Sequence, residues 1–163
     1  FWLSQNYLKS EHGLLKGIFF QGGFQHESNG KAGDFSRSTN YLYMKPVIIF
    51  YDDDSKLGLQ LSPKIWSYIG NDEITNPDLP DYRGYFDLEM KFGLAESFVA
   101  GTHFRLADEG ASFQFDISYP LHKIFGDALD VYFYAQYTNM LAESLLDYQQ
   151  RTQALRLGLA FIR

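Results

Sequence analysis

Apolar and polar residues alternate with a period of two along most of the chain, the spacing of a strand with one greasy and one polar face. From Tyr82 the apolar set is Tyr82, Gly84, Phe86, Leu88, Met90, Phe92 and Leu94, interleaved with Arg83, Tyr85, Asp87, Glu89, Lys91 and Gly93. The same alternation recurs over Phe113–Tyr119, Leu155–Phe161 and Leu57–Trp66, and more weakly over Phe98–Leu106 and Val131–Tyr137. With Phe1–Leu8, Leu15–Ser28 and Ser38–Tyr51 added, it predicts about nine strands of about 8–14 residues. Soluble sheets average five or six residues per strand, whereas a tilted strand crossing a bilayer needs about 9–11.

Connection lengths point the same way. Gly70–Asp81, with Asn76-Pro77 and Leu79-Pro80, reads as a long polar loop, and Ala95-Glu96 and Leu121–Asp127 read as shorter turns. Alternating long and short loops are a feature of outer-membrane barrels. In a soluble sandwich the apolar face would turn inward; in a barrel it faces lipid and the charged set pairs inside. Strand length and aromatic content favour the antiparallel transmembrane β-barrel. Bacterial barrels of this type close with an even number of strands. About nine, starting abruptly at Phe1-Trp2-Leu3, leads us to expect one barrel domain over residues 1–163 that lacks its N-terminal strands.

Composition sharpens this picture. The 163 residues include 12 Tyr, 15 Phe and 2 Trp, yet mean hydropathy is slightly negative. Two opposed faces averaged together produce that combination. The absence of cysteine excludes disulfides, zinc-thiolate sites and thiol nucleophiles. A net charge of −6 with scattered Lys and Arg leaves no footprint for nucleic acid. No apolar run is long enough for a transmembrane helix.

Candidate chemistry is concentrated between Gln25 and Asn40. His26 and Ser28 extend the face of Ile18, Phe20, Gly22 and Phe24, where polar groups are costly in lipid. Asn40 opens the next strand, sharing a face with Leu42, Met44, Pro46 and Ile48, and an antiparallel return would set it beside His26. A hydroxyl near an imidazole can be deprotonated by it, and a third group on the other ring nitrogen fixes the tautomer. An Asn there orients without adding charge. The bland reading is that His-x-Ser pairs are common and that Asn29-Gly30 is first of all a turn signal.

His26-Glu27-Ser28-Asn29-Gly30, Ser36-Arg37-Ser38 and Asn40 resemble the active-site segment of the bacterial outer membrane phospholipase A family. Asn76-Pro77-Asp78 with Tyr82 and Gly84-Tyr85, then Ser118-Tyr119-Pro120, then Glu143-Ser144-Leu145-Leu146-Asp147-Tyr148, extend the likeness in the same order over nearly the whole chain. The resemblance implies a twelve-stranded barrel of the bacterial outer membrane that hydrolyses acyl esters of membrane phospholipids and lysophospholipids, a phospholipase A1/A2. It implies Ser28 as nucleophile, His26 as general base, Asn40 as the group holding His26, and the Gly30 amide in the oxyanion hole. It further implies Ca2+ at the interface of an active homodimer, bound by the Lys31 carbonyl and the Ser36 hydroxyl and completed by a serine from an earlier loop of the partner. A hard cation with oxygen ligands suits a developing oxyanion. Lys31 stands where the family often has Arg, and Gly33, next to Asp34, stands where it can carry an aspartate for a second calcium site. The alternative class is a non-catalytic barrel, a small pore or an adhesin, in which His26 and Ser28 are incidental.

Asp52-Asp53-Asp54 lacks the glycine and distal glutamate of a calcium loop and reads as a solvated turn. His12, His103 and His122 read as isolated residues. Lys64, Arg83, Asp87, Glu89, Lys91 and Asp116 are expected to form a paired network inside the barrel. Tyr68, Tyr82 and Tyr119 are expected in the interfacial aromatic girdle.

Overall fold

The computed structural model describes residues 2–4, 8–9, 13–94, 96–125 and 131–161. Eight long strands follow one another in chain order: β3 (Leu15–Ser28), β4 (Ser38–Tyr51), β5 (Leu57–Asn71), β6 (Phe86–Leu94), β7 (Val99–Ala107), β8 (Gly110–Pro120), β9 (Tyr132–Leu141) and β10 (Arg151–Ala160). Two short pieces, β1 (Trp2–Ser4) and β2 (Leu8–Lys9), both pair antiparallel with β3. Taken as one interrupted strand they bring the described total to the expected nine. Every neighbouring pair is antiparallel, and the sheet runs as an open path from β1 to β10.

Alternation in the sequence becomes two faces of this sheet. Phe20, Phe24, Leu42, Met44, Ile65, Phe92, Leu106, Phe115, Leu155, Leu157 and Leu159 are exposed on the outer wall. Thr39, Ser62, Asp87, Ser112, Ser118 and Thr138 are buried on the inner one. Inside, Lys45 meets Glu89 at 2.5 Å, Arg83 meets Glu27 at 2.7 Å, and Asp87 pairs with His103 at 2.9 Å and Arg105 at 3.7 Å. Lys64 sits over the rings of Tyr43 and Tyr41, at 4.6 and 5.1 Å from their centroids. A polar interior is therefore present, but its pairing differs from the expected one: Arg83, Asp87 and Glu89 pair with residues outside the expected set, and among the described residues Lys64, Lys91 and Asp116 enter no ion pair. His103 is not isolated, because Asp87 on the neighbouring strand faces it; His12 lies outside the described residues.

Three other expectations need correction. Residues 82–85 are not strand: Leu79-Pro80 starts a short helix, α1 (Leu79–Arg83), with proline in its first turn, and Gly84 ends it at φ 68°. Tyr68 and Tyr82 are not girdle residues. Tyr68 faces inward, edge-on to Tyr41 and Tyr85, and Tyr82 packs edge-on against Tyr148 in a loop layer. Loop lengths do not alternate strictly either. At the end carrying Ser28 the connections are 29–37, 72–85, 108–109 and 142–150; at the opposite end they are 52–56, 95–98 and 121–131. The 121–131 connection, expected to be short, holds a second helical turn, α2 (His122–Phe125). Asp52-Asp53-Asp54 is a turn as expected, with the Asp52 carboxylate accepting from the Ser55 hydroxyl at 2.6 Å.

Leu79, Ala142 and Tyr148 form a small buried core with Tyr68, Tyr82 and Leu145. It joins α1 to the 142–150 loop across the end of the sheet that carries Ser28. Arg83 reaches from this layer to Glu27 and to the Ala142 carbonyl.

Candidate active site

β3 and β4 pair from Leu15 to Ser28, and their register sets His26 opposite Asn40 and Ser28 opposite Ser38. The inner and outer faces swap at each residue, so Glu27 points inward while His26 and Ser28 are exposed on the outer wall. Glu27 accepts from the Tyr41 hydroxyl at 2.8 Å and from Arg83 at 2.7 Å. These inward bonds hold the strand end whose outward residues are the candidate catalytic ones.

His26 Nδ1 lies 2.7 Å from Asn40 Oδ1. A carboxamide oxygen can only accept, so Nδ1 is the donor, and in the neutral imidazole Nε2 carries the lone pair. Among the described residues the Ser28 hydroxyl makes no hydrogen bond. The Asn40 amide nitrogen donates to the Gly70 carbonyl at 3.1 Å. Three of the residues expected to act together thus lie on one outer patch, with the imidazole and carboxamide in direct contact.

The 29–37 loop is organised by one side chain. Asn29 Nδ2 donates to the Phe35 carbonyl at 2.7 Å, and Asn29 Oδ1 accepts from the amides of Lys31 at 3.2 Å and Arg37 at 3.1 Å. Arg37 donates to the carbonyls of Asp34 and Ser36, and the Ser36 amide donates to the Gly33 carbonyl. Among the described residues nothing bonds to the Lys31 carbonyl or the Ser36 hydroxyl, the two oxygens expected to ligate a cation. The donor set left over is neutral oxygen, which fits a hard cation. Gly30 has φ 67° and open space where a side chain would be, and its amide makes no hydrogen bond among the described residues. The left-handed conformation that glycine accepts at no steric cost leaves that N–H free.

Asn76, fully buried in the 72–85 loop, acts as a surrogate strand partner for Ser38. Its Nδ2 donates to the Ser38 carbonyl at 3.1 Å and its Oδ1 accepts from the Ser38 amide at 3.2 Å. Sequence reasoning assigned no role to Glu27, Asn29, Gly70 or Asn76. Parity along β3 was enough to turn Glu27 inward; the others depend on loop and register geometry.

A family profile described as Phospholipase A1 matches residues 4–161. Phospholipase A1 of Salmonella typhimurium is 30% identical over 129 residues, covering 77% of this chain and 39% of that protein. Phospholipase A1 of Escherichia coli K12 is 29% identical with the same coverage. Outer membrane phospholipase A from E. coli superposes with a TM-score of 0.71 at 26% identity, covering 89% of this chain and 55% of the other. An outer membrane phospholipase dimer of Salmonella typhi with bound calcium gives the same TM-score and identity, covering 51% of that chain. The chain spans about two fifths of the curated relatives and about half of the solved ones.

Proposed function

The chain belongs to the phospholipase A1 family, and from that premise we propose that it forms the catalytic wall of a calcium-dependent outer-membrane phospholipase. The observation that carries the reading is the 2.7 Å contact between His26 Nδ1 and Asn40 Oδ1, on a lipid-facing surface two residues from Ser28. An imidazole held by a carboxamide in an apolar wall has little structural purpose and a clear chemical one.

In this reading His26 Nε2 takes the proton of Ser28 as Oγ attacks the ester carbonyl of a phospholipid. Negative charge develops on the carbonyl oxygen and is met by the Gly30 N–H. Collapse of the tetrahedral species breaks the bond to the glycerol oxygen, which leaves with the proton from His26. Water then attacks the Ser28 ester with His26 again as base, releasing the fatty acid and restoring Ser28. Asn40 keeps Nδ1 protonated throughout. Calcium bound through the Lys31 carbonyl and the Ser36 hydroxyl would add positive charge beside the developing oxyanion. A partner subunit would supply the remaining ligands; one similar solved structure is a dimer with bound calcium.

Purified protein in detergent with calcium is expected to release fatty acid from a phospholipid, and Ser28→Ala to reduce the rate by at least about 1,000-fold. Full activity in Ser28→Ala would overturn the proposal, and a wild-type protein that releases no fatty acid would favour the non-catalytic barrel.

A further inference from the structure

A carboxamide has a donor end and an acceptor end, and only one of them makes His26 a base. With Oδ1 toward His26, the ring is protonated at Nδ1 and Nε2 is free. With the amide turned over, Nδ2 would donate to Nδ1, the proton would sit on Nε2, and Ser28 would face a donor. Something must therefore select the orientation of Asn40.

Gly70 is opposite Asn40 in the β4–β5 register, at a shift in that register between Asn40 and Tyr41. Asn40 faces Gly70 and Tyr41 faces Tyr68, so Ile69 is the extra residue on β5. Bulges re-aim local groups in this way. The Gly70 carbonyl accepts from Asn40 Nδ2 at 3.1 Å. A carbonyl cannot donate, so the nitrogen end of the carboxamide is the one that must lie there.

The absence of a side chain at 70 matters equally. A Cβ at this position would stand 3.1 Å from Asn40 Nδ2, 3.7 Å from its Cβ and 3.8 Å from its Cγ. That is tight enough to displace the carboxamide by a few tenths of an ångström. Gly70 lies outside the left-handed region, so its backbone would accept alanine without strain.

We propose that Gly70 is a positioning residue: its carbonyl and its missing side chain together fix which end of Asn40 faces His26, and hence which nitrogen of His26 is left to act as base. This rests on the triad reading above and extends it to a residue 30 positions from Asn40 in sequence.

The test is a double-mutant cycle in the full-length protein, assayed with calcium in detergent. Gly70→Ala is expected to lower kcat at least about 10-fold with KM little changed, as general-base contributions of this kind are worth 10²–10⁴-fold in full. In an Asn40→Ala background the same change should cost less than about 2-fold, because nothing remains to position. Ser28 labelling by a sulfonyl fluoride should slow in parallel in Gly70→Ala, and this readout reports activation of the hydroxyl independently of turnover. Asn40→Asp, which keeps the acceptor for His26 but sets a carboxylate oxygen against the Gly70 carbonyl, should also fall below wild type near about pH 8, where a carboxyl is ionised. Equal losses from Gly70→Ala in both backgrounds, or an Asn40→Asp protein at or above the wild-type rate, would overturn the Gly70 assignment alone. If Ser28→Ala and Asn40→Ala are both fully active, the triad reading fails and the Gly70 assignment falls with it.

Discussion

Asn29 decides which oxygens of the 29–37 loop remain free. Its carboxamide takes two amides and one carbonyl, and Arg37 takes two more carbonyls, so the Lys31 carbonyl and Ser36 hydroxyl are left without partners among the described residues. Three hydrogen bonds at about 1 kcal/mol each bias the nine-residue loop toward this shape. Asn29→Ala is therefore expected to raise the calcium concentration for half-maximal activity at least about 10-fold, while the rate at saturating calcium stays near wild type. A calcium titration of fatty acid release checks this, and an unchanged midpoint would remove Asn29 from the cation site. At this scale the sequence was informative where period two applied. His26, Ser28 and Glu27 fall on their faces by counting, and Asn40 follows once β3 and β4 are taken as a hairpin. Gly70 could not be found that way, because the extra residue in β5 breaks the count. Asn76 looks like ordinary turn chemistry until Ser38 is seen against it.

Elements bounded by alternation were the most legible. β3 and β4 have the expected limits, Leu15–Ser28 and Ser38–Tyr51. β5 runs five residues past Trp66 to Asn71, and β9 reaches Leu141, because inward aromatic and polar residues continue the strand after outward apolar ones become sparse. The 72–85 and 142–150 loops were the least legible, since they are held by contacts between distant segments. One of these contacts joins the Tyr148 hydroxyl to the Asp78 carboxylate, with Gln149 Nε2 donating to the same carboxylate at 2.8 Å. The Tyr148 bond, followed by that from Gln149, holds Asp78 below its ordinary value of 3.8. Burial, followed by the bond to Asp78, pushes Tyr148 above its ordinary 10.0. A lowered carboxylate stabilises the fold above 3.8 and loses that contribution as pH falls through its lower folded value. A raised phenol stabilises below 10.0 and loses it as pH rises through its higher folded value. The tie is thus intact between about pH 4 and pH 10. Tyr148→Phe should reduce amide protection in both loops by a constant factor across that window, with the ratio to wild type approaching one in stronger acid. A ratio that varied between pH 5 and 9 would show that another group controls the loop layer.

The two faces of the whole sheet suit the proposed chemistry to its outside rather than its interior. Its inner face carries ion pairs such as Lys45–Glu89 and Arg83–Glu27, in which opposite charges offset one another. Its outer face is apolar, where an isolated charge costs about 2–4 kcal/mol at mid-membrane depth. In the proposed enzyme a Ser-His-Asn set, which carries no fixed charge, would avoid that cost at the rim of the wall and would meet substrate arriving by diffusion in the lipid. The same geometry would limit the proposed cation site. Lys31 and Ser36 would supply two oxygens, whereas calcium takes six to eight, so the loop alone would be an incomplete cage that a second surface with water would have to close. Calcium occupancy and dimer formation should therefore rise together in the proposed enzyme. Chelation with EDTA is expected to lower fatty acid release at least about 10-fold and to shift the protein toward monomer in sedimentation. Ser36→Ala should displace both calcium curves to higher concentration, and Lys31→Ala, which keeps its carbonyl, should leave them nearly in place. An EDTA-treated monomer turning over at the full rate would show that Lys31 and Ser36 do not serve the reaction through calcium.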